Sequence, residues 1–365
     1  MHFMGRLFFI LVFAAAMVLP GCSKEDVGNG DNMPVGFSAC GEWNLLTRDG
    51  DDNNSPDDNT EEEEGVADPS KTGFMEGDSL RVFGHYRMNG EDVKGVAPNF
   101  MYAQPVVLTG DGWYYSPLKY WPNNKGDLLD FYAYTPLNKN ISISPANQMG
   151  PPVISYKLRA EDEAITDILF AEKRSVEKPA ANGKTQLVFR HLMGKLQFKF
   201  SVLPPKGAFD ENGQEITENN GQYTAVVKSM SYSINTQGVF NYTYDNEDLP
   251  VWNVVEGGEN TKRVLNRETL GEGSVVSTGE FIHEFTAFLL PVSIEKFSVG
   301  LSTDGGSTYS IREVTLSGKD VIEVIAGKVT TVNMTIQQGE VVTLKIEVTT
   351  QPWFEKNTDT TFPIN

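Results

Sequence analysis

In LVFRHLMGKLQFKFSV (187–202), Leu196, Phe198 and Phe200 alternate with Lys195, Gln197 and Lys199. Side chains of a β-strand point to opposite faces in turn, so this period of two specifies a strand with one buried and one wet face. The period of a helix would scatter the same residues around its circumference. Further strands are predicted at 223–234, 281–290, 294–301, 308–316, 329–336 and 341–350, where Val342, Leu344, Ile346 and Val348 share one face. Earlier in the chain, Leu80–Val82 and Phe100–Tyr102 alternate in the same way, Trp113–Tyr120 is rich in aromatics and LLDFYAY (128–134) follows, all punctuated by Gly110, Gly112, Pro117, Pro122 and Pro136. Short runs bounded by turn residues predict an all-β sandwich or barrel. Asp162 to Lys173 is the one segment expected to form a helical turn or two.

The N-terminus obeys different rules. LFFILVFAAAMVL (7–19) is an unbroken apolar run after Arg6. It falls short of the roughly 20 residues a bilayer-spanning helix needs, and fits an export signal. Leu19-Pro20-Gly21-Cys22 stands where the cleavage site should be, in the pattern of a bacterial lipobox. Cys22 is therefore the expected lipidated first residue of the mature chain, and the outer membrane its expected anchor. The Ser-Lys-Glu-Asp at 23–26 resembles an acidic tag for export to the outer face of that membrane. Residues 1–21 are read as the signal peptide and 22–73 as a tether holding a short strand and an acidic loop. Two β domains follow, at 74–183 and 184–365.

Of the 49 acidic residues, nine fall in DGDDNNSPDDNTEEEEG (49–65), which has no base. Such a run repels itself and buries nothing, so it reads as a solvated loop. It begins like an EF-hand, but Asn54 stands where the loop needs Gly and Thr60 where it needs Glu. A net charge of −19 argues against nucleic acid as a partner. With Cys22 lipidated, Cys40 has no partner for a disulfide, so stability must come from the core.

Residues with reactive side chains are scattered. His85, His191 and His283 lack metal-ligand spacing, and neither a nucleophile elbow nor a phosphate loop is present. No enzyme, metal site or cofactor is expected. Ser302 to Tyr309 (STDGGSTY) resembles the Asp-box of sialidase propellers, but occurs once and reads as a tight hairpin turn. Trp113 and Trp121, with Tyr114, Tyr115 and Tyr120, would serve either as a sugar-stacking platform or as core packing.

Several segments together resemble the fimbrillin family of surface lipoproteins. Phe74-Met75-Glu76-Gly77-Asp78-Ser79-Leu80-Arg81-Val82-Phe83 is similar to that family's opening strand. Trp113-Tyr114-Tyr115, Tyr120-Trp121-Pro122 and Leu129 to Tyr134 are similar to its aromatic centre. Asp167 to Ala171, Phe189 to Leu196, Phe288 to Pro291, Ala326-Gly327-Lys328 and Pro352-Trp353 follow in the family's order. The resemblance implies two transthyretin-like β-sandwich domains and a pilus subunit that joins other pilin subunits by strand exchange. It implies trimming by an arginine-specific protease and replacement of the first strand by a neighbour's. Val35, Phe37 and Ala39 alternate as that first strand should, and Arg48 is the candidate cleavage residue. A surface lipoprotein that binds glycans or host ligands through Trp113 or Trp121, without polymerising, is the second reading.

Overall fold

The computed structural model describes residues 33–42, 73–136, 140–158, 166–181, 183–241, 251–254, 262–268, 274–277, 279–339 and 341–353. The first half contains β1 (Gly36–Gly41), β2 (Ser79–Arg87), β3 (Met101–Thr109), β4 (Gly112–Tyr114), β5 (Leu128–Thr135), β6 (Ile141–Ile143), β7 (Ile154–Lys157), β8 (Leu169–Val176) and β9 (Lys184–His191). Then come β10 (Gly194–Leu203), β11 (Ala225–Asn235), β12 (Gln237–Asn241), β13 (Val251–Val254), β14 (Lys262–Glu268), β15 (Ser274–Val276) and β16 (Ile282–Leu289). The last six are β17 (Val292–Ile294), β18 (Lys296–Ser302), β19 (Ser310–Thr315), β20 (Ile322–Val324), β21 (Lys328–Gln337) and β22 (Thr343–Pro352). The predicted all-β class is observed, and the alternating segments of the second half fall on β10, β11, β16, β18, β19, β21 and β22. Asp162 to Lys173 departs from its expected helical turn. Residues 169–173 lie in β8, because Leu169 and Ala171 are needed on one face of a sheet and Phe170 on the other. Residues 162–165 lie outside the described residues.

A seven-stranded sheet runs in the order β1-β9-β8-β5-β2-β3-β4. One face carries Leu80 and Val82 (β2), Leu129, Phe131 and Ala133 (β5) and Leu187 and Phe189 (β9), under Phe74, Tyr115 and Trp121. The opposite face carries Phe83, Tyr132, Tyr134 and Phe170, which join a larger core built around β10, β11, β18 and β21. A strand covered on both sides loses its polar alternation. That is why LLDFYAY in β5 is nearly continuous in apolar residues and buried almost throughout.

The predicted boundary at 183/184 meets the start of β9, which is hydrogen-bonded to β8 and β1. The small sheet β13-β12-β7-β6 likewise joins strands from both sides of that point. In β10, Leu196, Phe198 and Phe200 are buried and the intervening lysines and glutamine are half-exposed, as their alternation requires. β10 lies parallel to β21, and β21 pairs antiparallel with β22 over the full length of the latter, Thr343 to Pro352. Gly194 opens β10 where the chain passes β20: an added Cβ would stand 2.5 Å from Val324 Cγ1 and 2.7 Å from the Ile325 carbonyl oxygen. Only glycine fits so close an approach.

Candidate functional site

The first described segment, residues 33–42, is bonded to two places far apart in the sheet order. From Gly36↔Lys184 to Gly41↔Phe189, β1 runs parallel to β9 at one edge. Just before it, the Val35 amide donates to the Lys119 carbonyl (2.8 Å) and the Trp121 amide donates to the Met33 carbonyl (2.9 Å). Pro34 forms an antiparallel bridge with Tyr120, just beyond β4 at the opposite edge. The Tyr115 hydroxyl donates to the Val35 carbonyl at 2.8 Å. Residues 33–41 therefore form a seam that draws the two edges of the seven-stranded sheet together.

Along the seam, Val35, Phe37 and Ala39 point into the core, each at most 3% exposed. The Phe37 ring sits edge-on to Phe131 at 5.2 Å and tilted against Tyr115 at 5.7 Å. Phe131 is backed by Trp121 at 6.3 Å and Phe100 at 6.4 Å. Burial of Val35 and Phe37 contributes about 3–6 kcal/mol together. Cys40 is a free, buried cysteine whose thiol is pushed up by burial, with the Gln186 side-chain amide 3.5 Å away. The predicted first strand thus exists and is held by apolar burial and backbone bonds. Arg48 and Cys22 lie outside the described residues.

The aromatic stretch belongs largely to this core. Trp121 is 3% exposed, and Trp113 is half-buried, edge-on to Phe74 at 5.4 Å. The rings here that face solvent are Tyr114 and Tyr120. Aromatic pattern alone cannot separate a stacking platform from packing, since both call for the same residues.

A second node joins the seven-stranded sheet to the end of β22. His191 Nδ1 donates to Asp167 Oδ2 at 2.5 Å, and the imidazole stacks on Trp353 with centroids 3.7 Å apart. Phe288 lies parallel to the indole at 5.5 Å and Lys195 Nζ stands 5.6 Å from it. The Trp353 amide donates to the Gly327 carbonyl, and the Gly327 amide to the Met193 carbonyl. Burial pulls Lys195 below the usual amine range. His85 is buried; its Nε2 pairs with the Gly150 carbonyl at 3.0 Å, and burial holds the ring below the usual imidazole range. The His283 side chain lies outside the described residues. Among the described residues, no group of three or more His, Cys, Asp or Glu side chains is placed to hold a metal.

The Asp304 turn is a hairpin between β18 and β19. Asp304 accepts from the Ser302 hydroxyl (2.5 Å), the Thr308 hydroxyl (2.5 Å) and the Thr308 amide (2.9 Å), while Gly305 and Gly306 take positive φ. These bonds, the Ser302 hydroxyl first, hold the carboxyl well below its usual range. A depressed pKa means that the contribution is present above the unfolded value, about 3.9, and is lost as pH falls through the folded one. The Thr308 amide is expected to stay protected from hydrogen exchange at pH 5. It should lose protection in Asp304→Ala at that pH, and unchanged protection in the variant would refute the role given to the carboxylate.

The sequence matches the family model described as Fimbrillin-like over residues 67–353. It is 26% identical over 113 residues to fimbrium subunit Fim1C of Phocaeicola vulgatus. That match covers 27% of this chain and 29% of the subunit's length. A crystal structure of a fimbrial protein from Bacteroides vulgatus superposes with a TM-score of 0.51 at 15% identity, covering 75% of this chain and 92% of that one. The match to the family model spans most of the sequence, and the chain belongs to the fimbrillin-like family.

Proposed function

We propose that the chain is a structural, adhesive subunit of a surface fimbrium, exported as a lipoprotein through Cys22. It is trimmed after Arg48 and joined to its neighbour when another strand takes the place of β1. The two cores are read as two β-sandwich units, transthyretin-like, meeting near β9. The observation that supports this reading is the seam. β1 is an edge strand near the start of the chain, with its apolar side chains in the core, and Arg48 follows seven residues after its end. Loss of β1 would open a groove lined by Tyr115, Phe131, Leu187 and Phe189, with unpaired backbone on β9 and at 119–121. Such an edge is a template for a foreign strand.

The test is the N-terminus of the protein recovered from its cell surface. Assemblies that resist SDS without boiling should contain chains beginning at Asp49, alongside a precursor lipidated at Cys22. A single species, lipidated at Cys22 and monomeric, would overturn the reading. It would favour a lipoprotein that binds a ligand without polymerising.

A further inference from the structure

The seam has two halves with different demands, and β1 meets both. Residues 33–35 bond to 119–121, and residues 36–41 bond to β9. A strand that pairs only with β9 would leave the Trp121 amide without its partner in the seam, and the Lys119 carbonyl and Tyr115 hydroxyl only with their longer contact to each other, at 3.4 Å. The apolar positions also differ in size. Phe37 fills a box whose walls are the rings of Tyr115 and Phe131. Ala39, two residues on, is 3% exposed with only a methyl group, so the core closes directly on its Cβ.

We infer that the groove selects its occupant: a nine-residue extended segment of a partner subunit, aromatic in the place of Phe37 and small in the place of Ala39. This rests on the strand-exchange reading above. An aliphatic residue at the aromatic place leaves ring faces without contact, and a large residue at the small place overpacks a closed core. The chain's own β22 has neither feature. It offers Leu344, Ile346 and Val348 on its inner face, and it is paired along its length with β21. The donor is therefore a segment of different sequence from β22, recognised by its aromatic–x–small step and by bonds at both edges.

The test uses the full unlipidated chain, cut after Arg48 or at a specific protease site inserted between residues 49 and 65. A labelled peptide of residues 33–42 is incubated with the cut protein and competed with variants. Phe37→Ala, Ala39→Phe and a peptide lacking residues 33–35 should each compete at least tenfold less well than the parent. Equal competition by all four overturns the selectivity while leaving strand exchange standing. If the parent peptide never enters the cut protein, the same substitutions in the intact chain read the groove with its own strand. Ala39→Phe should then lower the melting midpoint, and an unchanged midpoint overturns the inference. Failure of the parent peptide itself counts against strand exchange.

Discussion

Phe37→Ala in the intact chain should cost about 3–5 kcal/mol of stability, the range for removing a buried aromatic ring. Denaturant titration followed by tryptophan fluorescence, to which Trp121 against Phe131 contributes, should show the loss as a lower midpoint. The ring is 1% exposed and touches Tyr115 and Phe131, so its removal leaves a cavity that neither neighbour can close without giving up its own contacts. Tyr115 also donates to the Val35 carbonyl, and Trp121 both backs Phe131 and bonds the Met33 carbonyl. The cavity therefore borders the residues that hold the seam to the opposite edge. In hydrogen exchange, amides at 35 and 121 should lose protection before those of β10 and β21. An unchanged midpoint would mean that the groove around β1 is not a closed core.

Trp353→Ala should produce a loss of similar size, about 3–5 kcal/mol for a buried tryptophan, felt elsewhere. The indole lies between His191 and Phe288, and its backbone amide fixes the end of β22 to Gly327. β22 is an edge strand whose inner face is only half-buried, so its last turn of contacts matters more than its length suggests. Amides of Thr349 to Gln351 should exchange faster in the variant, while those of β1 and β9 near residue 184 keep their rates. If β22 is protected as in the parent, the indole contributes packing without anchoring the strand.

Much of this architecture was legible in the sequence, because a period of two states both that a segment is a strand and which of its residues face inward. Leu196, Phe198 and Phe200, and Val35, Phe37 and Ala39, illustrate this. Periodicity does not name a strand's partner. Nothing in GFSACG announces that it pairs in parallel with residues 184–189, or that Met33 and Val35 bond across to 119–121. Parallel partners are distant in sequence and need no turn signature between them. The same limit hid the contact of His191 with Trp353, since the motif that carries each residue shows its presence and not its neighbour. The 183/184 boundary follows Pro179 to Gly183, which composition alone marks as a loop. Yet the strand after it completes the sheet before it, because backbone bonding and not loop composition decides which sheet a strand joins.

If β1 is the exchangeable element, a disulfide that fastens it to β9 should block exchange. Cys40 and Val188 are register partners on β1 and β9. Adjacent strands hold paired Cα atoms within the ~4.4–6.8 Å span of a disulfide. In a Cys22→Ser background, Val188→Cys gives a chain whose first strand can be fastened by oxidation and freed by reduction. After cleavage at Arg48, the reduced protein should take up a labelled peptide of residues 33–42 and the oxidised protein should not. Uptake that is equal in both states, or absent from both, would show that β1 is not the strand exchanged.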